Sequence, residues 1–523
     1  MECMECRECR ECRECRECRE SGPRSSRPLV RLSARPLVHF SIIHSITPTP
    51  TPMKPTFRRT KIVATIGPAS NSPEMIRKLL EAGMDVARLN FSHGKYEDHA
   101  GVIRSLRDIS AELDRPVTIM QDLQGPKIRV GTLPGGALTL EEGTTIVLSP
   151  QEHCTPGAIP IDYPYVAEEA KPGMQVLLAD GLFELEVVET RQQDVLCRVV
   201  EGGILTDHKG VNFPNLNLRL PSLTDKDLRD LDFGLANDID WVSLSFVRSA
   251  ADIETLKSLI ASKGMVKPVI AKIEKPQAID HLEEIIAAVH GIMVARGDLG
   301  VEMSPDRVPM LQKRIIEMCN RAGRPVITAT QMLESMIHEP RPTRAEASDV
   351  ANAVIDGTDA VMLSGETAMG SFPVKAVEMM ARIALDVESR ITFKTYPPSV
   401  DSDIAALSRA ANQVEDMVNA EAIVVFTATG QSARFVAAER PDAKVFALTT
   451  HPQVFHALNL LWGVRPVLIG DHPDTFEKMV SVAESHILTR GWATPGSRIL
   501  VIGGIPSDLP GGTNFMKIHT LGT

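Results

Sequence analysis

Residues 268–274 read PVIAKIE, residues 291–296 read GIMVAR, and QAIDHLEEIIAAV fills 277–289 between them. The outer pieces are apolar runs of strand length, and the middle piece places Ile279, Leu282, Ile285, Ile286 and Val289 at helical spacing. Strand, helix and strand in so short a span make a parallel βαβ unit. The same alternation extends in both directions, with strands expected at 61–67, 85–91, 116–122, 240–246, 268–274, 291–296, 325–330 and 360–365. Eight such strands joined by right-handed crossovers predict an α/β fold, a closed (β/α)8 TIM barrel.

The third and fourth strands lie too far apart for a single helix. Residues 135–140 (GGALTL) and 182–187 (LFELEV) alternate with period two between Gly and Pro turns. We expect an inserted small β-barrel domain over 127–221, placed over the functional face of the barrel as a lid. The barrel itself then comprises 53–126 and 222–392. After the eighth strand, segments 422–427, 444–449, 464–469, 498–503 and 515–521 predict a C-terminal α/β regulatory domain over 393–523 with a mostly parallel sheet.

Residues 1–52 stand apart. Cys3, Cys6, Cys9, Cys12, Cys15 and Cys18 belong to a Cys-Arg-Glu triplet repeat. A spacing of three drifts around a helix, so these thiols do not share a face, and no histidine joins them. Residues 21–52 are rich in Arg, Ser and Pro and lack acids, like a transit segment, although the acidic repeat ahead of them spoils the match. The simpler reading is a low-complexity or mis-annotated extension, with the natural start at Met53. The protein is then expected in the cytoplasm, and in an organelle only if 21–52 is a genuine transit segment. The three cysteines beyond the repeat (Cys154, Cys197, Cys319) are scattered, which fits a reducing compartment.

Composition excludes other classes. The formal charge is −11 and aromatics are 4%, without a basic stripe, so nucleic acid is not expected as a partner. No apolar run reaches the roughly 18 residues of a membrane span.

Functional groups of such barrels sit at the C-terminal strand ends. The second strand ends in Arg88, Asn90, Ser92 and His93, and the third in Asp122. Lys272 and Glu274 share one face at the end of the fifth. The sixth runs into Arg296, Gly297 and Asp298, the seventh ends at Thr330, and the eighth leads into Ser364 and Glu366. Singly, each has an ordinary structural reading as an ion pair or a cap. Converging on one mouth, cations and carboxylates suit phosphoryl transfer, where positive charge meets the moving group and carboxylates hold Mg2+.

The stretches VIAKIE (269–274), MVARGDLGVE (293–302) and ATQMLESM (329–336) resemble the pyruvate kinase family, as do TIGPAS (65–70), ARLNFSHG (87–94) and MLSGET (362–367). The resemblance runs from Met53 to the C-terminus. It implies transfer of phosphate from phosphoenolpyruvate to ADP, giving pyruvate and ATP. By the same resemblance Glu274 and Asp298 are the Mg2+ ligands, with Mn2+ as an alternative. Lys272 stabilises the phosphoryl group in flight and Arg88 binds phosphate. Thr330 lies beside the methylene carbon of the enolate, and its proton comes from a water, relayed through Ser364. Gly297 and Asp298 hold the substrate carboxylate by their N–H groups. Pro68, His93, Arg129, Asp180 and Lys209 form the nucleotide side.

One departure from the family pattern concerns K+. Members that use it hold it with residues matching Asn90, Ser92, Asp122 and a threonine; here that threonine is Leu123, and Lys127 stands where those members carry glutamate. A lysine ammonium supplies the same charge, so K+ is not expected to be required. Thr427, Thr429, Gly430 and Ser432 match the family's effector phosphate loop, implying a phosphorylated small-molecule effector. The family is commonly a homotetramer. Two other readings are a metal-dependent lyase on the same barrel and a non-catalytic sensor using only the effector loop. The inserted domain and Lys272 speak against the first, and the intact set Arg88, Lys272, Glu274, Asp298 and Thr330 against the second.

Overall fold

The computed structural model describes residues 57–214, 216, 219–395, 402–506 and 512–523; the expectations for 1–52 and for a start at Met53 lie outside them. Eight strands form the barrel: β1 (Lys61–Ile66), β2 (Val86–Asn90), β3 (Thr118–Asp122), β4 (Trp241–Leu244), β5 (Val269–Ile273), β6 (Gly291–Ala295), β7 (Val326–Ala329) and β8 (Ala360–Leu363). Each is parallel to the next, and β8 pairs back to β1 with Lys61 opposite Ala360. The strands are slightly shorter than expected.

Alternation sorts each strand between two cores. Ile62, Ala64 and Ile66 pack with helix residues such as Ile76, Leu79 and Leu80. Val63, Val86, Met120, Trp241, Ile270, Met293, Ile327 and Met362 form a second cluster inside the barrel. Helix Pro73–Ala82 illustrates the local logic. The Ser72 side chain accepts the Met75 N–H at 3.2 Å and proline opens the first turn. Gly83, at φ +127°, then ends the helix where a side chain would be strained.

The inserted domain has its own core around Tyr163, Val176, Leu185 and Phe213. A six-stranded sheet runs in the order Val211–Asn212, Gln175–Leu178, Phe183–Arg191, Asp194–Glu201, Thr145–Pro150, Ile159–Ile161. Isolated bridges Arg129↔Gly210 and Val130↔Ile161 join its two edges through the segment around residues 128–131, and a ribbon pairs Ala137–Leu140 with Gly203–Thr206. Gly135 and Gly136, expected to begin a strand, instead form a turn with φ +73° and +79°. Both adopt a left-handed backbone that suits glycine.

The C-terminal sheet runs Val464–Leu468, Lys444–Thr449, Ala422–Phe426, Arg498–Gly504, Thr513–Thr520, with only the last strand antiparallel. This domain sits on the N-terminal end of the barrel. Asn459 Nδ2 donates to the Asp85 and Pro116 carbonyls at 2.9 and 3.0 Å, Lys61 Nζ to the Val464 carbonyl at 2.6 Å, and Trp241 Nε1 to the Ala457 carbonyl at 3.1 Å. Leu460 enters the cluster inside the barrel. No helix among the described residues is long and apolar enough to cross a membrane.

Candidate active site

β2 and β3 lie in register, with Asn90 opposite Asp122, so their polar ends meet. The Arg88 guanidinium donates to Asp122 Oδ2 at 2.6 to 2.7 Å and to Thr65 Oγ1 at 3.0 Å. Asp122 is buried. Burial raises its pKa, but Lys272 and Arg88 outweigh that and hold it below the usual aspartate value. Its Oδ1 is buried without a hydrogen-bond partner in the structure. Asn90 Oδ1 accepts the Ser92 N–H at 3.1 Å.

At the end of β5, alternation puts Lys272 and Glu274 side by side. Lys272 Nζ lies 2.9 Å from Glu274 Oε1, 3.5 Å from Asp122 Oδ2 and 2.8 Å from Ser245 Oγ. Burial works to lower the Lys272 pKa, yet the Asp122 and Glu274 carboxylates prevail and raise it, so the ammonium stays charged. Glu274 Oε2 accepts the Phe246 N–H at 2.7 Å, from a backbone held at φ +55°. Burial raises the Glu274 pKa, Lys272 opposes, and Asp298 raises it further. Two carboxylates that repel across a cavity suit a hard divalent cation.

Gly297 and Asp298 lie inside the first turn of helix Arg296–Glu302. The Gly297 N–H is engaged, donating to Thr330 Oγ1 at 2.8 Å, and that hydroxyl donates to the Ala329 carbonyl at 2.7 Å. Thr330 sits at φ +66°, a costly backbone for a β-branched residue. Arg296 holds it there, donating to the Thr330 carbonyl at 2.7 Å while pairing with Asp349 at 2.7 Å.

The inserted domain brings a cation to this mouth. Lys127 Nζ donates to Asp180 Oδ1 at 2.9 Å and lies 3.7 Å from Asp298 Oδ1. It is turned inward rather than into solvent. Burial lowers its pKa, but Asp298 and Asp180 outweigh that and raise it. Leu123 belongs to the apolar core and its side chain offers no ligating oxygen; its carbonyl accepts the Ser245 hydroxyl at 2.7 Å.

A cavity of about 170 Å3 gathers most of the expected groups: Arg88, Asn90, Ser92, His93, Asp122, Leu123, Lys127, Arg129, Lys272, Glu274 and Asp298 all line it. Asp180 and Gly297 line the larger neighbouring cleft of about 1490 Å3. Thr330 joins through its bond to Gly297. Ser364, Pro68 and Lys209 are not among the residues lining either space, and the latter two are exposed. Three groups escaped the sequence reading, Ser245, Phe246 and Thr65, and Arg296 was placed at its strand end without its role of holding Thr330. The three stand at the ends of β4 and β1, where alternation could have found the Ser243/Ser245 face and Thr65, though not Phe246. The three described cysteines are free thiols.

The loop after Ala422–Phe426 forms a small space of about 20 Å3 lined by Thr427, Thr429, Gln431, Ser432, His472 and Thr513 among others. The Gly430 N–H donates to Thr427 Oγ1 at 2.9 Å, and the Ser432 and Thr513 hydroxyls bond at 2.7 Å.

A parallel barrel whose mouth gathers fixed cations and repelling carboxylates, beside a β domain that contributes a lysine, defines a phosphotransferase. Comparison with known proteins gives it a family. The model described as pyruvate kinase, barrel domain, matches residues 57–377, and that described as pyruvate kinase, alpha/beta domain, matches 405–519. The chain is 47% identical over 473 residues to pyruvate kinase 2 of Synechocystis sp., covering 89% of this chain and 79% of that protein. It is 43% identical over 468 residues to a pyruvate kinase of Agrobacterium vitis, covering 88% and 96%. A crystal structure of a pyruvate kinase from Cryptosporidium parvum superposes with a TM-score of 0.83 at 36% identity, over 88% of this chain and 96% of that one. The chain belongs to the pyruvate kinase family, and it is a phosphotransferase of the final glycolytic step. The family's chemistry uses a divalent metal.

Proposed function

We propose that the barrel mouth transfers the phosphoryl group of phosphoenolpyruvate to ADP, with Lys272 as its main electrostatic contributor. The observation that supports this most is the placement of its ammonium, buried and fixed by Ser245, Glu274 and Asp122 on the cavity that Arg88 and Asp298 also line. A cation already in place needs no reorganisation when charge spreads over the equatorial oxygens. Arg88, preset by Asp122 and Thr65, grips the phosphate between the two substrates.

Glu274 and Asp298 are the residues that would hold the metal, which we take as Mg2+ with Mn2+ able to replace it. Both carboxylates line the one cavity, which suits the habit of Mg2+ to bind through one or two carboxylates plus substrate oxygens. When bound, the ion neutralises charge on the phosphate oxygens.

The substrate carboxylate takes the N–H groups of Gly297 and Asp298. To do so it displaces the Thr330 hydroxyl from Gly297, which leaves Thr330 facing the methylene carbon. As the bond from phosphorus to the enol oxygen breaks and that to the ADP oxygen forms, the enolate accepts a proton at this carbon. The proton comes from a water beside Thr330, with Ser364 as relay. Pro68, His93, Arg129, Asp180 and Lys209 receive the nucleotide, and residues 127–221 close as a lid that excludes water. Lys127 replaces K+ beside Asn90, Ser92 and Asp122. Thr427, Thr429, Gly430 and Ser432 bind a phosphorylated effector, and the working form is a cytoplasmic homotetramer.

The test is ATP formation from phosphoenolpyruvate and ADP with Mg2+, comparing the intact chain with Lys272→Met. Rapid turnover that collapses in a folded variant is expected. A folded, metal-loaded intact chain without turnover would overturn the reading.

A further inference from the structure

Glu302 closes the stretch GDLGVE (297–302), and nothing in the transfer step uses it. It is 2% exposed, yet an ammonium and a side-chain amide converge on it. Its Oε1 accepts Lys275 Nζ at 2.5 Å and Asn212 Nδ2 at 2.6 Å. The three residues come from three different pieces of the molecule. Lys275 directly follows Glu274. Asn212 belongs to the inserted domain, on the edge strand Val211–Asn212. Glu302 ends the helix that begins with Arg296, Gly297 and Asp298.

The geometry makes this more than a local ion pair. Asp298 and Glu302 are four residues apart, so they stand on one helix face about 6 Å apart along the axis. Each meets a residue of the inserted region: Asp298 faces Lys127 at 3.7 Å, and Glu302 accepts from Asn212. Lys275 in turn lies over the Phe246 ring at 5.7 Å, and the Phe246 N–H holds Glu274 Oε2. A continuous set of contacts thus joins Glu302 to both carboxylates assigned to the metal and to the base of the lid. Groups behind metal ligands fix their orientation, and their loss weakens metal binding without any direct contact.

We propose that Glu302 is a positioning residue that sets the separation of Glu274 and Asp298 and ties it to the seating of the inserted domain. This rests on the assignment of those two carboxylates to the metal. Mn2+ is the probe, titrated into the substrate-free full chain and followed by the loss of its free electron-spin resonance signal, with thermal melting as a check of folding. Glu302→Gln keeps an acceptor but removes the charge that holds Lys275, and its Mn2+ affinity falls about 10- to 100-fold. Asn212→Ala cuts only the link to the inserted domain: Mn2+ affinity stays within about twofold, while kcat falls by about fivefold or more and KM for ADP rises. A folded Glu302→Gln protein that binds Mn2+ as the intact chain does overturns the proposal. If Glu302→Gln does not fold, Asn212→Ala decides: unchanged kcat and KM overturn the coupling, and the fall in kcat supports it. Glu274→Gln separates the two levels, because Mn2+ affinity unaltered there refutes the metal assignment itself, whereas its loss there with full affinity in Glu302→Gln refutes only the role of Glu302.

Discussion

The mouth of the barrel and the loop at residues 427–432 are both expected to bind phosphate, yet they are built from opposite materials. Arg88, Lys127, Arg129 and Lys272 line the mouth together with Asp122, Glu274 and Asp298. Every buried charge there has a counterion within reach, so Asp122 is pushed down, Lys272 is pushed up, and both remain ionised. No lysine or arginine lines the loop, where hydroxyls satisfy one another and the Gly430 N–H is already taken by Thr427. The same domain holds a buried carboxylate by neutral means. Glu415 accepts the Asp442 and Ala443 N–H groups at 2.7 and 2.6 Å, and burial pushes its pKa up to about 7 despite those donors. Fixed charge held ready is the mark of a site that must stabilise a transition state. Hydroxyls and a short turn offer an anion a place without a strong pull.

The largest test of that contrast is Lys272→Met. Its kcat is expected to fall by about 10³-fold. The buried Asp122 and Glu274 carboxylates also lose a partner, so the melting temperature falls with it. Next is Lys127→Glu, which places a carboxylate beside Asp180 and Asp298. Activity without K+ is expected to drop by about 10²-fold and to return with KCl but not with a tetraalkylammonium salt. The complementary measurement uses the intact chain, where replacing K+ by tetraalkylammonium leaves the rate unchanged; a large loss there refutes Lys127 as the resident cation.

A smaller effect tests the neutral side. Between the ordinary glutamate value of 4.5 and about 7, Glu415 keeps in the folded state a proton that the unfolded chain has released. Glu415 therefore contributes stability that is lost as pH rises through that window, by on the order of 2 kcal/mol, against the opposite contribution of His290 and His456, whose burial lowers their pKa to about 4; the difference in urea unfolding between the intact chain and Glu415→Gln isolates the Glu415 part. A difference of the opposite sign between the two proteins would mean that a cation meets Glu415. Smallest is the loop itself. A sugar phosphate at millimolar concentration is expected to shift half-saturating phosphoenolpyruvate by about fivefold, and Gly430→Ala to abolish the shift. Gly430 sits at φ +85°, and a Cβ there would meet Leu458 at 2.9 Å. Ligand binding that leaves the substrate curve in place would remove the regulatory role.

Much of this was legible beforehand. The barrel strands are covered on both faces, so they read as near-continuous apolar runs, and the polar residue ending each run marks the mouth. Arg88, Asp122, Lys272, Glu274 and Asp298 were found this way. What escaped depends on contacts between strands rather than within them. Ser245 matters because the Lys272 ammonium lies 2.8 Å away, and Phe246 because its strained N–H holds Glu274. Arg296 was visible in the motif, but its task of holding Thr330 at positive φ is visible only in three dimensions. Gly135 and Gly136 misled in the other direction, since their alternation with apolar neighbours mimicked a strand start. Glu302 carried no local signal of its partners, which lie 27 and 90 residues away in the chain.

Leu460 packs among Val63, Met120, Trp241 and Met293 inside the barrel, although it belongs to the C-terminal part of the chain. The catalytic half is therefore bottled by a stopper that another half supplies. A barrel cut free before residue 393 would leave an open, greasy drain at its floor, and water entering there would loosen the layers beneath the mouth. The two halves are thus not interchangeable parts that recombination could trade freely. A graft of either onto a foreign partner would have to bring a matching cork.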